Sequence, residues 1–233
     1  MGPAVCFDLG GTLVDRDRDH DMCAYWSERG IRLRRSDAAP VLYRTDRHFM
    51  ESRPDLWRRA DAVFQEQYWG MVHAEFGLVT PPAGVCAAWG GPWNVYPDAW
   101  CALRELRRSG CRLALISNWD DTALRILTLT GLDRYFDAVA VSATLGWEKP
   151  SPEIFEWAGA RLGVPPSECL HVGDNYWDDV VGARRADMKP VLLHRHPEWC
   201  APPPLPPDVA VVRDLAAAVP YLLRPAHPVA AGL

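Results

Sequence analysis

The 233-residue sequence is long enough for one large domain, or for a core domain with a smaller insertion. Its hydrophobic fraction of 48% and charged fraction of 24% are ordinary for a globular protein that buries a sizeable core. The net charge of −5 without a basic block argues against nucleic-acid binding, and no apolar run reaches the roughly 20 residues that span a bilayer.

The cysteines indicate a reducing compartment. All seven are scattered and none forms a C-x-x-C pair, so the sequence lacks the spacing of a disulfide framework or a zinc site. The N-terminus runs almost directly into the apolar residues 4–7, and we expect no signal peptide. These features predict a cytoplasmic protein with free thiols.

The chain begins with a predicted strand, residues 4–7, that ends in a carboxylate. Asp8 follows this strand, and Gly10 and Gly11 then permit a tight turn in which backbone N–H groups can approach a ligand. Residues 16–94 are rich in Arg, Asp and aromatic residues, with spacings that fit helix faces. We therefore predict a helical insertion after the first strand.

From Tyr96 onward, helices and strands alternate. The predicted strands are 112–117, 138–142, 169–172, 190–193 and 209–212, and the predicted helices are 98–109, 121–130, 152–162 and 178–186. This alternation predicts a parallel sheet covered on both faces, with ligands at the carboxyl ends of its strands. The predicted fold is α/β: a Rossmann-like doubly wound core (1–15 and 95–225), a small helical cap domain (16–94) and a loose tail (226–233).

Polar residues follow several of these strands. Asp8 ends the first, Ser117 and Asn118 end the strand at 112–117, Asp174 follows 169–172, and Lys149 precedes a helix. Carboxylates of this kind suit Mg²⁺, and hydroxyl and amide groups suit phosphate oxygens. The ammonium group would let an anionic phosphate approach an anionic nucleophile.

These motifs resemble those of the haloacid dehalogenase-like (HAD) hydrolases. Residues 7–15 (FDLGGTLVD) resemble the first family motif, Ser117-Asn118 the second, residues 149–152 the third and residues 171–179 the fourth, in the family's order. The phrases around Lys149 and Asp174 are similar to the branch called haloacid dehalogenase-like hydrolase domain-containing protein 3. The resemblance implies a Mg²⁺-dependent phosphohydrolase that acts on a small phosphorylated metabolite through an aspartyl-phosphate, without nucleic-acid or membrane partners. It leaves the oligomeric state unknown.

The resemblance implies a metal site. Asp8 would be both the nucleophile and a ligand, and the carbonyl of Gly10 would also face the ion. Asp174 would bind Mg²⁺ directly. Either Asp178 or Asp179 would orient a water molecule on the ion, and the family spacing slightly favours Asp179.

The resemblance also implies a phosphate site. Thr12, Ser117 and Asn118 would bind the phosphoryl group, together with backbone N–H groups around Gly11. Lys149 would be the catalytic cation that neutralises charge as phosphate approaches Asp8.

Gly10 departs from the family pattern, because most phosphatases of the family carry a second aspartate there. That aspartate protonates the leaving oxygen and then activates water, and losing a general acid–base typically costs about 10²–10⁴ in rate. One explanation is a slow phosphatase, or one reserved for good leaving groups such as acyl phosphates, with Asp15 or His20 as a substitute proton donor. A second is a non-catalytic protein that binds a phosphorylated ligand or partner.

A third explanation is a different reaction. Phosphonate-cleaving relatives use a cap lysine, and residues 16–94 contain none. Dehalogenating relatives usually replace the Gly-Asp of the fourth motif, which Gly173-Asp174 retains. Both are disfavoured. Finally, Trp119, Trp147 and Trp177 lie beside motifs, where one or more would border the pocket mouth and favour a bulky or ring-shaped substrate.

Overall fold

The structure is a computed structural model that describes residues 3–223, so the tail predicted at 226–233 lies outside the described residues. The strands are β1 (Ala4–Phe7), β2 (Val14–Asp15), β3 (Asn94–Val95), β4 (Arg112–Ser117), β5 (Ala138–Val141), β6 (Cys169–Gly173), β7 (Lys189–Leu193) and β8 (Ala210–Val212). The helices are α1 (Arg18–Ser27), α2 (Arg35–Ser52), α3 (Pro54–Arg59), α4 (Ala62–Ala74), α5 (Ala83–Ala87), α6 (Pro97–Arg108), α7 (Thr122–Thr130), α8 (Ser142–Leu145), α9 (Pro152–Leu162), α10 (Gly182–Arg185) and α11 (Leu215–Leu222).

Six strands form one parallel sheet in the order β5-β4-β1-β6-β7-β8. The chain runs from β1 outward to β4 and β5, and then crosses to β6 on the other side of β1. The carboxyl ends of β4, β1 and β6 are therefore neighbours at the point where the strand order reverses, which is where α/β sheets bind ligands. The predicted α/β fold with a parallel sheet is confirmed.

The core is built on both sides of β1, whose four residues are all buried. On one face, Cys6 and Ile116 pack in a cluster with Phe155 and Ala158 of α9. Helix α9 begins at Pro152, as expected for proline in a first turn, and ends at a left-handed glycine. This packing fixes the loop before α9 against the carboxyl edge of the sheet.

Several features of the core differ from the sequence prediction, which did not include the helices α8 and α11. The predicted helix at 178–186 is a π-helical turn over Tyr176–Val181, followed by the short α10. The backbone N–H groups of Trp177 and Asp178 donate to Asn175 Oδ1, which caps the start of this turn. In addition, β2 and β3 pair as a small antiparallel ribbon that the sequence did not predict.

The chain divides into two compact units, and β1–β8 and α6–α11 belong to the core unit. The cap unit contains α1–α5 together with residues 196–203. Its helices surround an aromatic cluster that includes Trp26, Phe64, Tyr68, Trp69 and Trp89. Over the part of the chain that is described, no helix is both long and apolar enough to cross a membrane.

Candidate active site

A buried lysine joins two carboxylates at the carboxyl edge of the sheet. Lys149 Nζ lies 2.6 Å from Asp8 Oδ1 and 2.6 Å from Asp179 Oδ1. Asp8 directly follows β1, Asp179 lies in the π-helical turn after β6, and Lys149 precedes α9. All three side chains are almost completely buried, so three separate segments bring these charges together out of water.

The charges in this cluster depend on one another. Burial raises the pKa of Asp8 to about 6, although Lys149 lowers it. Burial lowers the pKa of Lys149, but Asp179 and Asp8 outweigh burial and raise it above its ordinary value. Burial raises the pKa of Asp179, but Lys149 and His171 outweigh burial and hold it below the usual range. Lys149 and Asp179 therefore form an ion pair beside Asp8.

Asp174 joins these carboxylates in a cluster with the chemistry of a hard-cation site. One carboxylate oxygen from each of Asp8, Asp174 and Asp179 lies within 4.8 Å of the other two. The three carboxylates concentrate negative charge, which the Lys149 ammonium offsets in part and a divalent cation would offset further. Oxygen donors of this kind fit Mg²⁺. These three residues could therefore hold the ion that the sequence predicts.

The two adjacent aspartates of the π-helical turn have different surroundings. Asp179 Oδ1 also faces His171 Nε2 at 2.9 Å, and its Oδ2 accepts a hydrogen bond from Asn175 N. Asp178 instead accepts a hydrogen bond from Asn175 Nδ2 and lies outside the three-carboxylate cluster. Of these two aspartates, Asp179 contacts the Lys149 ammonium, which also contacts Asp8.

Two hydroxyls predicted to bind phosphate are buried without a hydrogen-bond partner among the described residues. These are Oγ1 of Thr12, in the loop after β1, and Oγ of Ser117, at the end of β4. Buried hydroxyls nearly always have a partner, so an unsatisfied pair at this edge points to a ligand. Both hydroxyls can donate to phosphoryl oxygens.

Asn118 has a different contact from the one expected. Its Nδ2 donates to the Lys149 carbonyl at 2.8 Å, and its Oδ1 accepts from Lys149 N at 2.6 Å. Its side chain thus holds the backbone of Lys149, whose Nζ contacts Asp8. The structure brings Asn118 to the site by this route, with both polar atoms of its side chain engaged.

Sequence reasoning missed two residues that support the site. Arg195 Nη2 donates to the carbonyl of Thr12 at 2.7 Å, and Arg195 Nη1 contacts Asp98 at 2.9 Å. His171, part of the fourth motif but given no role, faces Asp179 from β6. No local pattern marks Arg195, which lies 183 positions beyond its partner Thr12.

The suggested substitute proton donors have other neighbours. Asp15 accepts a hydrogen bond from the hydroxyl of Tyr96 at 2.8 Å. His20 belongs to the cap unit, where its Nδ1 lies 3.0 Å from Asp21.

Comparison with known proteins identifies the family. The family model described as haloacid dehalogenase-like hydrolase matches residues 3–187. This chain belongs to that family. The match covers all four motifs predicted from the sequence, so the predicted recognition is confirmed.

Three similar proteins illustrate the relationship. Human haloacid dehalogenase-like hydrolase domain-containing protein 3 is 43% identical over 101 residues, which are 43% of this chain and 40% of the relative. Phosphoserine phosphatase from Thermus thermophilus is 39% identical over 104 residues, 44% of this chain and 42% of the relative. The solved structure of a HAD phosphatase from Thermococcus onnurineus has a TM-score of 0.59 and 25% identity, and the match covers 94% of this chain and 97% of that one. The two sequence matches thus span less than half the relatives' own length.

Proposed function

We propose that this HAD hydrolase is a Mg²⁺-dependent phosphohydrolase that acts on a small phosphorylated metabolite through an aspartyl-phosphate at Asp8. One observation carries the proposal: the unpartnered buried hydroxyls of Thr12 and Ser117 lie on the same sheet edge as the buried Asp8–Lys149 pair. Phosphoryl transfer needs donors for the phosphoryl oxygens and a positioned nucleophile, and this arrangement offers both. The phosphatase names of two relatives support the same class of reaction.

The reaction has two displacement steps. First, a carboxylate oxygen of Asp8 attacks phosphorus, and the bond from phosphorus to the leaving oxygen breaks with its electron pair remaining on that oxygen. Thr12 and Ser117 donate hydrogen bonds to the phosphoryl oxygens, and the Lys149 ammonium lowers the repulsion between phosphate and Asp8. Water then attacks the phosphorus of the aspartyl-phosphate, and the bond from phosphorus to the Asp8 oxygen breaks with its electron pair remaining on Asp8. The proton that the water loses passes to bulk solvent, and inorganic phosphate is released.

We assign the cation to Asp8, Asp174 and Asp179, with the carbonyl of Gly10 as a further ligand. When bound, Mg²⁺ supplies positive charge for the phosphoryl oxygens and the nucleophile. We leave Asp178 out of this set because it does not belong to the three-carboxylate cluster, and its carboxylate accepts a hydrogen bond from Asn175 Nδ2. Its role is to help hold the π-helical turn.

A hydrolysis assay with Asp8→Asn tests the proposal. We expect the wild type to hydrolyse members of a panel of phosphate monoesters and acetyl phosphate with Mg²⁺, and to lose this activity in EDTA. Removing the nucleophile should reduce turnover by at least about 10³-fold. Asp208→Asn is the matched control, because Asp208 is an exposed aspartate paired with Arg184 and precedes β8, away from the carboxyl edge.

The possible outcomes separate the two candidate functions. If Asp8→Asn hydrolysed the substrates at the wild-type rate, Asp8 would be excluded as the nucleophile. Binding of inorganic phosphate without turnover of any substrate would favour the non-catalytic, ligand-binding protein.

A further inference from the structure

The backbone at position 10 does not explain why the residue there is glycine. Gly11 has a φ of +72°, whereas Gly10 is not among the residues with positive φ. A Cβ atom added to Gly10 would instead lie 2.9 Å from Cζ3 and 3.6 Å from Cη2 of Trp119. The indole ring therefore occupies the space into which a side chain at position 10 would project.

Hydrogen bonds hold both the backbone and the indole ring of Trp119. The Trp119 backbone N–H donates to Ser142 Oγ at 3.0 Å, and its carbonyl accepts from the same hydroxyl at 3.0 Å. The indole Nε1 donates to Thr122 Oγ1 at 3.2 Å. Trp119 also directly follows Asn118, which holds the Lys149 backbone. The ring thus has a defined position beside the proposed phosphate site.

Glycine at position 10 supplies no carboxylic acid that could protonate a leaving oxygen. Within the described part of the core unit, the Lys149 ammonium contacts Asp8 and Asp179, and His171 Nε2 faces Asp179. Without a proton donor at position 10, a leaving oxygen that is stable as an anion departs most readily. An oxygen conjugated to a planar π-system meets this requirement, and a planar group also packs well against an indole face.

We propose that Trp119 is a specificity-determining residue, and that the Gly10–Trp119 pair selects phosphoryl donors whose leaving oxygen is conjugated to a planar group. The inference rests on the proposed function, because it concerns the leaving group of the same reaction. Phenolates and carboxylates share this chemistry, and they correspond to aryl phosphates and acyl phosphates. Alkyl phosphates lack it, since an alkoxide is a poor leaving group without protonation.

The first test compares kcat/KM for p-nitrophenyl phosphate, acetyl phosphate and glycerol phosphate. We expect the wild type to prefer the first two, and Trp119→Leu to reduce kcat/KM for p-nitrophenyl phosphate about threefold to tenfold. Its kcat/KM for glycerol phosphate should change less than about twofold. Trp119→Phe keeps an aromatic plane and should retain most of the preference, which guards against a variant that simply folds poorly. If Trp119→Leu also reduces kcat/KM for acetyl phosphate, Trp119 selects any planar conjugated leaving group. If it reduces kcat/KM for p-nitrophenyl phosphate alone, Trp119 selects an aromatic leaving group.

The second test restores the carboxylic acid together with space for it. Gly10→Asp with Trp119→Ala should raise kcat/KM for glycerol phosphate at least about tenfold over Trp119→Ala alone, because a general acid contributes about 10²–10⁴. Gly10→Asp alone should give a smaller gain, since the ring and the new side chain compete for the same space. Equal effects of Trp119→Leu on aryl and alkyl substrates, or no gain in the double variant, would overturn the inference.

A binding measurement distinguishes its failure from failure of the proposed function. Phenylphosphonate and methylphosphonate carry a phosphoryl-like group that is not hydrolysed. Calorimetry can therefore compare the affinity for a ligand with a planar group and one without it, in the absence of turnover. If the wild type bound phenylphosphonate more tightly than methylphosphonate and Trp119→Leu did not, selection by Trp119 would be supported even if no substrate were hydrolysed. Turnover of all three substrates with no difference between the two phosphonates would instead retain the phosphohydrolase and reject selection by Trp119.

Discussion

Gly11 illustrates how a single residue can determine the shape of the proposed metal site. Its φ of +72° favours glycine, and a Cβ atom there would lie 2.5 Å from Asp174 Oδ2. The residue thus meets two independent requirements, one of the backbone and one of the neighbouring carboxylate. Gly131, at the end of α7, has the same φ, but its nearest neighbour is the flexible end of Arg134 at 3.5 Å.

We therefore predict different outcomes for Gly11→Ala and Gly131→Ala. Both should reduce the free energy of unfolding by about 1–2 kcal/mol, because each forces a side chain into the left-handed region. Only Gly11→Ala should weaken Mg²⁺ binding, about 10- to 100-fold, because it displaces Asp174. Denaturant unfolding and Mg²⁺ calorimetry measure the two effects. Equal Mg²⁺ affinity in the two variants would show that Asp174 does not depend on the space at Gly11.

At the scale of elements, the end of β4 supports the loop before α9. Asn118 makes two hydrogen bonds to the backbone of Lys149, and the Lys149 ammonium reaches Asp8 and Asp179. The amino end of β4 has a comparable contact, because Asp137 accepts from Leu113 N at 2.9 Å. The two contacts bind β4 to different segments at its opposite ends.

This contrast gives a prediction for Asn118 as a positioning residue. Asn118→Ala and Asp137→Ala should each destabilise the fold by about 1–3 kcal/mol, because each leaves backbone polar groups without a partner. Asn118→Ala should also lower kcat by about 10- to 100-fold through misplacement of Lys149, while Asp137→Ala should leave kcat near the wild-type value. Asn118→Asp keeps one acceptor and should recover part of the loss. If the two alanine variants lost kcat equally, the contact would be merely structural.

Elements that depend on local pattern could be predicted from the sequence, and those that depend on tertiary contacts could not. Pro152 and the glycine after α9 mark that helix correctly because such signals act within one or two turns. The π-helical turn at Tyr176–Val181 has the same local signals as an ordinary helix and was predicted as one. The carboxylate of Asp179 within this turn contacts Lys149 and His171, and sequence periodicity does not reveal such tertiary contacts.

At the scale of the whole molecule, the alternation of helices and strands predicted the fold, and parallel strands bring their carboxyl ends to one edge. Asp8, Lys149 and Asp179 meet there, although 141 positions separate the first two. Two contacts at this edge were not predicted. Trp119 lies against Gly10, and Arg195 donates to the carbonyl of Thr12. Both depend on side-chain directions that only the assembled sheet determines, and neither has a local motif.

The buried charge of the site should make the stability of the molecule depend on Mg²⁺. Bringing the carboxylates of Asp8, Asp174 and Asp179 together costs free energy, since like charges repel strongly in a poorly hydrated site, and the Lys149 ammonium offsets this cost in part. A cation that binds only the folded chain recovers this free energy by mass action. At 100 times its dissociation constant, the gain is about 2.7 kcal/mol.

We predict that saturating Mg²⁺ raises the midpoint of thermal unfolding of the wild type by about 5–10 °C, the shift expected for that gain in a chain of this size. Calorimetric scans with Mg²⁺ or EDTA measure it. Asp174→Asn removes one charged ligand, so its midpoint should be less sensitive to Mg²⁺ and should lie closer to that of the wild type in EDTA. Asp208→Asn removes an exposed carboxylate and should keep the full wild-type shift. An equal Mg²⁺ shift in both variants would mean that the ion stabilises the protein elsewhere, and the assignment of Asp174 to the cation would be wrong.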